Sequence, residues 1–277
     1  NMEKDENPIA SWNYAEVWDK FPIPARPCDG ELTFLESELI SILKQKGELN
    51  VLILGSTIEY RSLLNRLDIV PHVVDFSREN FDALSDYSEE KFENEHFIEV
   101  DWLKLQDIEK YDIIIGHRAI NVIEHDQMKN FFEVMYKALK SDGVFYCRGN
   151  IFSPEHKSSL EEVVNSWRKN KDDKYPFFSH IEVELYFYCA DKNGYVDYGQ
   201  ARKLVDRWYE EKKINKKDYE LAKLLVSMPD DARFRGLVHK EEIENAYAKC
   251  NFSNEGWLVC GHDFGKNMPI MKLVKKI

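Results

Sequence analysis

Apolar residues in the middle of the chain fall into short, nearly continuous runs at 51–54, 72–74, 97–100, 112–115 and 144–147, separated by stretches of helical spacing at 59–67, 78–91 and 126–140. Runs rich in β-branched residues and apolar on both faces suit strands of a parallel sheet covered by helices on either side. Repeated strand–helix units with right-handed crossovers then predict a doubly wound α/β sheet. Upstream, Leu32, Leu35, Leu39, Ile40 and Leu43 predict an amphipathic helix that stops at Gly47. A proline-rich stretch at 21–27 precedes it and favours extended backbone.

Beyond residue 150 the rhythm breaks. The spacing predicts a helix around 155–169, a strand over the aromatic run 181–189, a turn at Gly194 and one long helix over 199–226. Order then resumes with a helix at 240–250 and strands at 256–260 and 270–274, joined through Gly265 and Pro269 as a hairpin. The expected sheet is therefore seven-stranded and mostly parallel, with an antiparallel last strand. The expected organisation is a cap segment 1–47, an α/β domain of 48–150 with 238–277, and an inserted region 151–237.

Bulk properties narrow the class. A chain of 277 residues, 43% hydrophobic and 32% charged, is ordinary for a globular protein of one large domain or two small ones. No apolar stretch approaches the roughly 20 residues that span a bilayer, so no membrane partner is expected. Asn1 stands ahead of Met2 and is set aside; the start Asn1–Glu6 is polar and acidic, without the apolar core of a signal peptide. The five cysteines are scattered and never spaced as CxxC, which argues for reduced thiols, no metal site and a cytoplasmic location. A net charge of −12 disfavours a broad phosphate-tracking surface, so nucleic acid is not the expected partner and a small-molecule acceptor is.

In a doubly wound sheet, ligands bind outside the carboxyl ends of the strands. Those ends carry Gly55-Ser56-Thr57 after the first strand, Asp75 after the second, Asp101-Trp102 after the third and Gly116-His117-Arg118 after the fourth. Gly55 permits close backbone approach, and Asp75 suits ribose hydroxyls. Asp101 and Trp102 offer a carboxylate and a flat ring to an adenine. With one glycine in place of G-x-G-x-x-G, the first loop is ill suited to a pyrophosphate.

Four elements together resemble those of class I S-adenosylmethionine-dependent methyltransferases, in particular a bacterial small-molecule-type subgroup with an L-G-x-T-x-E first loop. They are Leu54-Gly55-Ser56-Thr57-Ile58-Glu59-Tyr60, the upstream Arg26-Pro27-Cys28-Asp29-Gly30-Glu31-Leu32, Val100-Asp101-Trp102, and Asp112-Ile113-Ile114-Ile115-Gly116-His117-Arg118-Ala119-Ile120-Asn121. The resemblance covers about 22–150 and, more generically, 239–277. It implies a Rossmann-like methyltransferase fold and an S-adenosylmethionine pocket lined by Gly55, Ser56, Thr57, Asp75, Asp101 and Trp102. Gly116 and His117 would then flank the sulfonium end, and Arg26 the methionyl carboxylate.

Methyl transfer needs proximity and orientation first, and a base only where the nucleophile must lose a proton. His117 is the candidate catalytic base, or alternatively part of the cofactor wall. Glu124-His125-Asp126 reads as a polar helix start. The aromatic insert, with Tyr186 and Tyr188, forms either a substrate lid or a small core of its own. Arg233 and Arg235 are candidates for an anionic group on the substrate, or plain loop residues. The expected activity is methyl transfer to a small molecule; a non-catalytic binding protein of the same fold and a protein or RNA methyltransferase are the alternatives.

Overall fold

The computed structural model describes Trp18 and residues 21–152, 154–156, 159–170, 175–228, 230, 234–260 and 267–276. Its centre is a seven-stranded sheet of β1 (Val51–Leu54), β2 (Pro71–Asp75), β3 (His96–Glu99), β4 (Tyr111–His117), β5 (Leu139–Arg148), β8 (Phe252–Leu258) and β9 (Ile270–Lys275). The strand order is β3-β2-β1-β4-β5-β9-β8. The first five strands are parallel, and β9 runs antiparallel to both β5 and β8, so the sheet is doubly wound and mostly parallel with a closing hairpin.

Alternate residues of the strands feed two separate cores. Val51, Ile53, Val73, Ile113, Ile115 and Tyr146 pack under α1 (Asp29–Lys46) and α2 (Ile58–Arg66). Leu52, Leu54, Val74, Ile114, Phe145 and Cys147 pack under α4 (Met128–Ala138) and α9 (Lys240–Lys249). Both sets are almost wholly buried, and each such side chain stabilises the fold by roughly 1.5–3 kcal/mol. The apolar-on-both-faces runs in the sequence have this sandwich as their cause. α1 ends at Gly47, whose φ of 83° places it in the left-handed region while its N–H closes the helix on Leu43. Helix α3 (Arg78–Tyr87) follows β2.

The segment after β5 has a third core. It is bracketed by a two-residue parallel pair, β6 (Ile151–Phe152) with β7 (Val238–His239). Between them lie α5 (Leu160–Lys169), α6 (Phe177–Cys189), α7 (Tyr198–Glu210) and α8 (Lys216–Leu225). Two expectations are corrected here. The run 181–189 is not a strand but most of α6, and 199–226 is not one helix but α7 and α8. The second break is made by Asn215, whose side chain accepts from the Asp218 N–H and starts a new helix. Gly265 of the closing hairpin and Arg233 fall outside the described residues. All five cysteines are buried free thiols. No helix among the described residues is long and apolar enough to cross a membrane.

Candidate functional site

Strand register assembles the site. Leu54 pairs with Val74 on one side and Gly116 on the other, so Gly55, Asp75 and His117 stand in one row where the strands end. Asp75 in turn pairs with Glu99, and His117 with Arg148. Gly55 has φ 85° and turns the chain into α2. Its N–H donates to the Val74 carbonyl at 2.8 Å, and the Trp102 indole N–H donates to the same oxygen at 2.9 Å. That shared acceptor pins the Trp102 ring beside Gly55, 3.5 Å from where a Cβ would stand.

Asp75 is nearly buried. One carboxylate oxygen accepts from the Ser56 hydroxyl at 2.7 Å and the other from the Ser77 N–H. Burial lifts its carboxyl above the usual range, against the lowering effect of these bonds. The backbone N–H groups of Ser56 and Phe76 also favour its ionised form. Ser56 and Thr57 are buried at the start of α2, and Gly116 is buried in β4 against Ala119 and Leu54. Asp101 is exposed and accepts from the Leu103 N–H, capping the turn Trp102–Lys104.

His117 is enclosed, its side chain 4% exposed. Its Nδ1 lies 3.1 Å from Glu31 Oε1. Glu31, on the first turn of α1, also accepts from the Tyr60 hydroxyl through Oε1 and from Arg148 Nη1 through Oε2 at 2.7 Å. Burial works to raise the Glu31 carboxyl, yet the charges of His117 and Arg148, with hydrogen bonds from His117 and Tyr60, hold it at about 2. Arg26, from the same N-terminal element, binds Glu59 on α2 at 2.6 Å and the Trp18 carbonyl, and is more than a quarter exposed.

Arg118 follows His117 in a left-handed conformation, φ 56°, and reaches the insert. Its Nη1 meets Glu182 Oε1 of α6 at 2.7 Å, and Tyr186 donates to the same carboxylate. The insert therefore contributes Glu182 and Tyr186 to the strand ends. Tyr188 points away and is 51% exposed. The misread strand explains that pairing, because residues two apart share a face in a strand and not in a helix. Arg235 is also placed elsewhere. It is fully buried, with its guanidinium forked onto Glu242 at 2.7 and 2.5 Å, so it has no free edge for a substrate anion.

Among the described residues, several of the buried side-chain atoms without a partner lie on residues at this edge or bonded to it: His117 Nε2, Arg118 Nε, Arg148 Nη2, both amide atoms of Asn150, and Glu182 Oε2; others, such as Arg61 Nη1 and His72 Nδ1, lie elsewhere. Glu31, Arg118, Asn150 and Glu182 were not singled out by sequence reasoning. For Glu31 and Arg118 a signal existed, since both lie inside the quoted elements; Glu182 was hidden by the strand reading of its helix.

The sequence matches no protein-family model and no curated protein. The fold is shared with solved structures over nearly the whole chain. The CcbJ methyltransferase from Streptomyces caelestis aligns at TM-score 0.58 and 13% identity, covering 96% of this chain and 97% of that one. An S-adenosylmethionine-dependent methyltransferase from Clostridium acetobutylicum aligns at 0.52 and 14%, covering 95% and 98%. A structure from Rhodobacter sphaeroides assigned to the Zn-dependent alcohol dehydrogenases aligns at 0.57 and 13%, covering 96% and 100%. At such identities the likeness is one of fold. The chain has the Rossmann-like fold of class I S-adenosylmethionine-dependent methyltransferases.

Proposed function

We propose that this protein is a methyltransferase that binds S-adenosylmethionine at the carboxyl ends of β1 to β4 and methylates a small molecule held under the inserted segment 151–237. The observation that carries the reading is the cluster of buried, unpartnered polar atoms where the strand ends meet the insert. Buried polar groups without partners are rare and costly in folded proteins, and a bound ligand supplies what these lack.

Asp75 holds the ribose, Trp102 and Asp101 the adenine, and the Gly55-Ser56-Thr57 turn lets the cofactor approach the backbone. Gly116 and His117 border its reactive end, with Arg26 on the N-terminal side. When bound, the cofactor supplies a methyl group already activated by a sulfonium charge. The chain then has to align the acceptor and keep water out. Tyr186, Glu182 and Arg118 form the acceptor wall, and His117 takes a proton where the acceptor must lose one.

Calorimetric titration with S-adenosylmethionine, S-adenosylhomocysteine and NAD tests the reading. Both sulfur nucleotides are expected to bind and NAD is not. Binding of neither sulfur nucleotide overturns it.

A further inference from the structure

Glu31 uses its two carboxylate oxygens for different tasks. Oε2 neutralises Arg148, which a plain buried ion pair would need. Oε1 faces the Tyr60 hydroxyl and His117 Nδ1 together. Burial, followed by the charge of Glu31, pushes the Tyr60 phenol well above its ordinary range, so it stays protonated and acts as a donor. Glu31 itself titrates at about 2 and is a carboxylate at neutral pH, able only to accept. A carboxylate 3.1 Å from Nδ1 requires a proton on that nitrogen. In a neutral imidazole the other nitrogen, Nε2, then carries a lone pair. That Nε2 is buried and meets no hydrogen-bond partner among the described residues.

We propose that Glu31 is a positioning residue for His117: it fixes the Nδ1–H tautomer and so turns the Nε2 lone pair into a base for a neutral, hydroxyl-bearing acceptor. This rests on the reading of the strand ends as a methyl-transfer site. The acceptor oxygen passes its proton to Nε2 as its lone pair forms the bond to the methyl carbon, and the broken carbon–sulfur bond leaves its electron pair on sulfur. The imidazolium so formed already faces the Glu31 carboxylate, which stabilises it. A hydroxyl is favoured over an ammonium group because Glu31 and Arg148 cancel. A cationic acceptor would bring an uncompensated charge into an enclosed site. Tyr60 on α2 meets the His117 ring edge-on, and the other titratable groups near the Glu31–Arg148 pair are Cys28 ahead of α1, Cys147 on β5 and Cys260 beyond β8. Burial raises the Cys147 thiol to about 12 and the Cys260 thiol to about 11, so neither competes as a base at neutral pH.

The test is the tautomer itself, read by long-range 1H–15N correlation of the histidine rings at neutral pH, with the His117 signals assigned by their loss in His117→Gln. The wild-type protein is expected to show protonated Nδ1 and unprotonated Nε2. Tyr60→Phe removes the other donor to Oε1 and is expected to keep that tautomer, whereas Glu31→Gln is expected to lose it in favour of Nε2–H. An Nε2–H or doubly protonated ring in the wild type overturns the proposal, as does an unchanged tautomer in a folded Glu31→Gln protein. If that variant does not fold, the wild type and Tyr60→Phe decide. S-adenosylhomocysteine binding to the same samples reports separately on the methyltransferase reading: a protein that binds it with the wrong tautomer refutes this proposal alone.

Discussion

Glu31 and Arg148 are 117 residues apart and form an ion pair at 2.7 Å with neither side chain exposed. The pair ties the first turn of α1 to the end of β5, fastening the N-terminal segment across the carboxyl ends of the strands. The stability that Glu31 contributes through His117, Arg148 and Tyr60 together depends on acid. The folded Glu31 titrates at about 2, below the ordinary 4.5, so the contribution is complete above pH 4.5 and is lost as pH falls towards 2. The difference is on the order of 3 kcal/mol. Glu31→Gln leaves Arg148 buried without its counter-ion and is expected to lower stability by about 3–5 kcal/mol at neutral pH. It should also flatten the fall in stability below pH 4.5. Urea unfolding at a series of pH values measures both; parallel pH curves for the two proteins would remove Glu31 as the cause.

Asp75 is the group on which cofactor affinity is expected to depend most. Asp75→Ala removes a nearly buried carboxylate and should weaken S-adenosylhomocysteine binding by roughly 1.5–3 kcal/mol, the range for a charge-assisted hydrogen bond. That corresponds to about ten- to a hundredfold in Kd. Titration calorimetry with the variant decides, and an unchanged Kd would place the ribose elsewhere.

Gly55 tests the turn. Its φ of 85° is costly for a residue with a side chain, by roughly 1–2 kcal/mol. A Cβ there would meet Trp102 at 3.5 Å, an ordinary contact, so the cost of Gly55→Ala comes from backbone conformation and not from collision. The expected variant is folded, less stable by that amount, and weaker in binding S-adenosylhomocysteine because the turn relaxes away from the ligand. Thermal unfolding with and without S-adenosylhomocysteine separates the two effects. Wild-type stability would show that the turn adapts without strain.

The α/β core was legible because its central strands β1 and β4 are buried on both faces, and such burial writes continuous apolar runs such as 51–54 and 112–115. The strand-end residues Gly55, Asp75 and His117 were legible for the same reason, since each follows a run whose end is sharp. The insert was not. In α6, Ile181, Val183, Leu185 and Phe187 alternate with Glu182, Glu184, Tyr186 and Tyr188, which is the period of a strand. The helix buries ten of its thirteen residues, so it has no polar stripe to reveal its period. Its two glutamates are tolerated because polar partners arrive from distant segments: the Arg118 guanidinium meets Glu182, and the His156 ring lies against Glu184. Glu31 was obscured differently. A carboxylate in a first helical turn suits the helix dipole, and only the fold brings Arg148 and His117 to it.

The Arg118–Glu182 pair is expected to hold the insert on the sheet. Arg118 accepts a left-handed backbone to reach α6, and Glu182 is 1% exposed. Two other buried arginines, Arg61 and Arg235, form two-bond forks with Glu95 and Glu242. The Arg118 contact is a single bond that leaves Nε and Oε2 unmet. Such a join holds, yet keeps donor and acceptor capacity for a guest. Arg118→Met strands the Glu182 charge in an apolar setting, at about 3–5 kcal/mol. The loss should concentrate in the insert, because β1 and β4 have their own cores on both faces. Hydrogen exchange is therefore expected to quicken in α5 and α6 while β1 and β4 keep their protection. Adding Glu182→Gln to Arg118→Met removes the stranded charge and should restore most of that protection. If exchange quickens equally in β1 and β4, or if the double variant is no better than Arg118→Met, the pair is not the fastening of the insert.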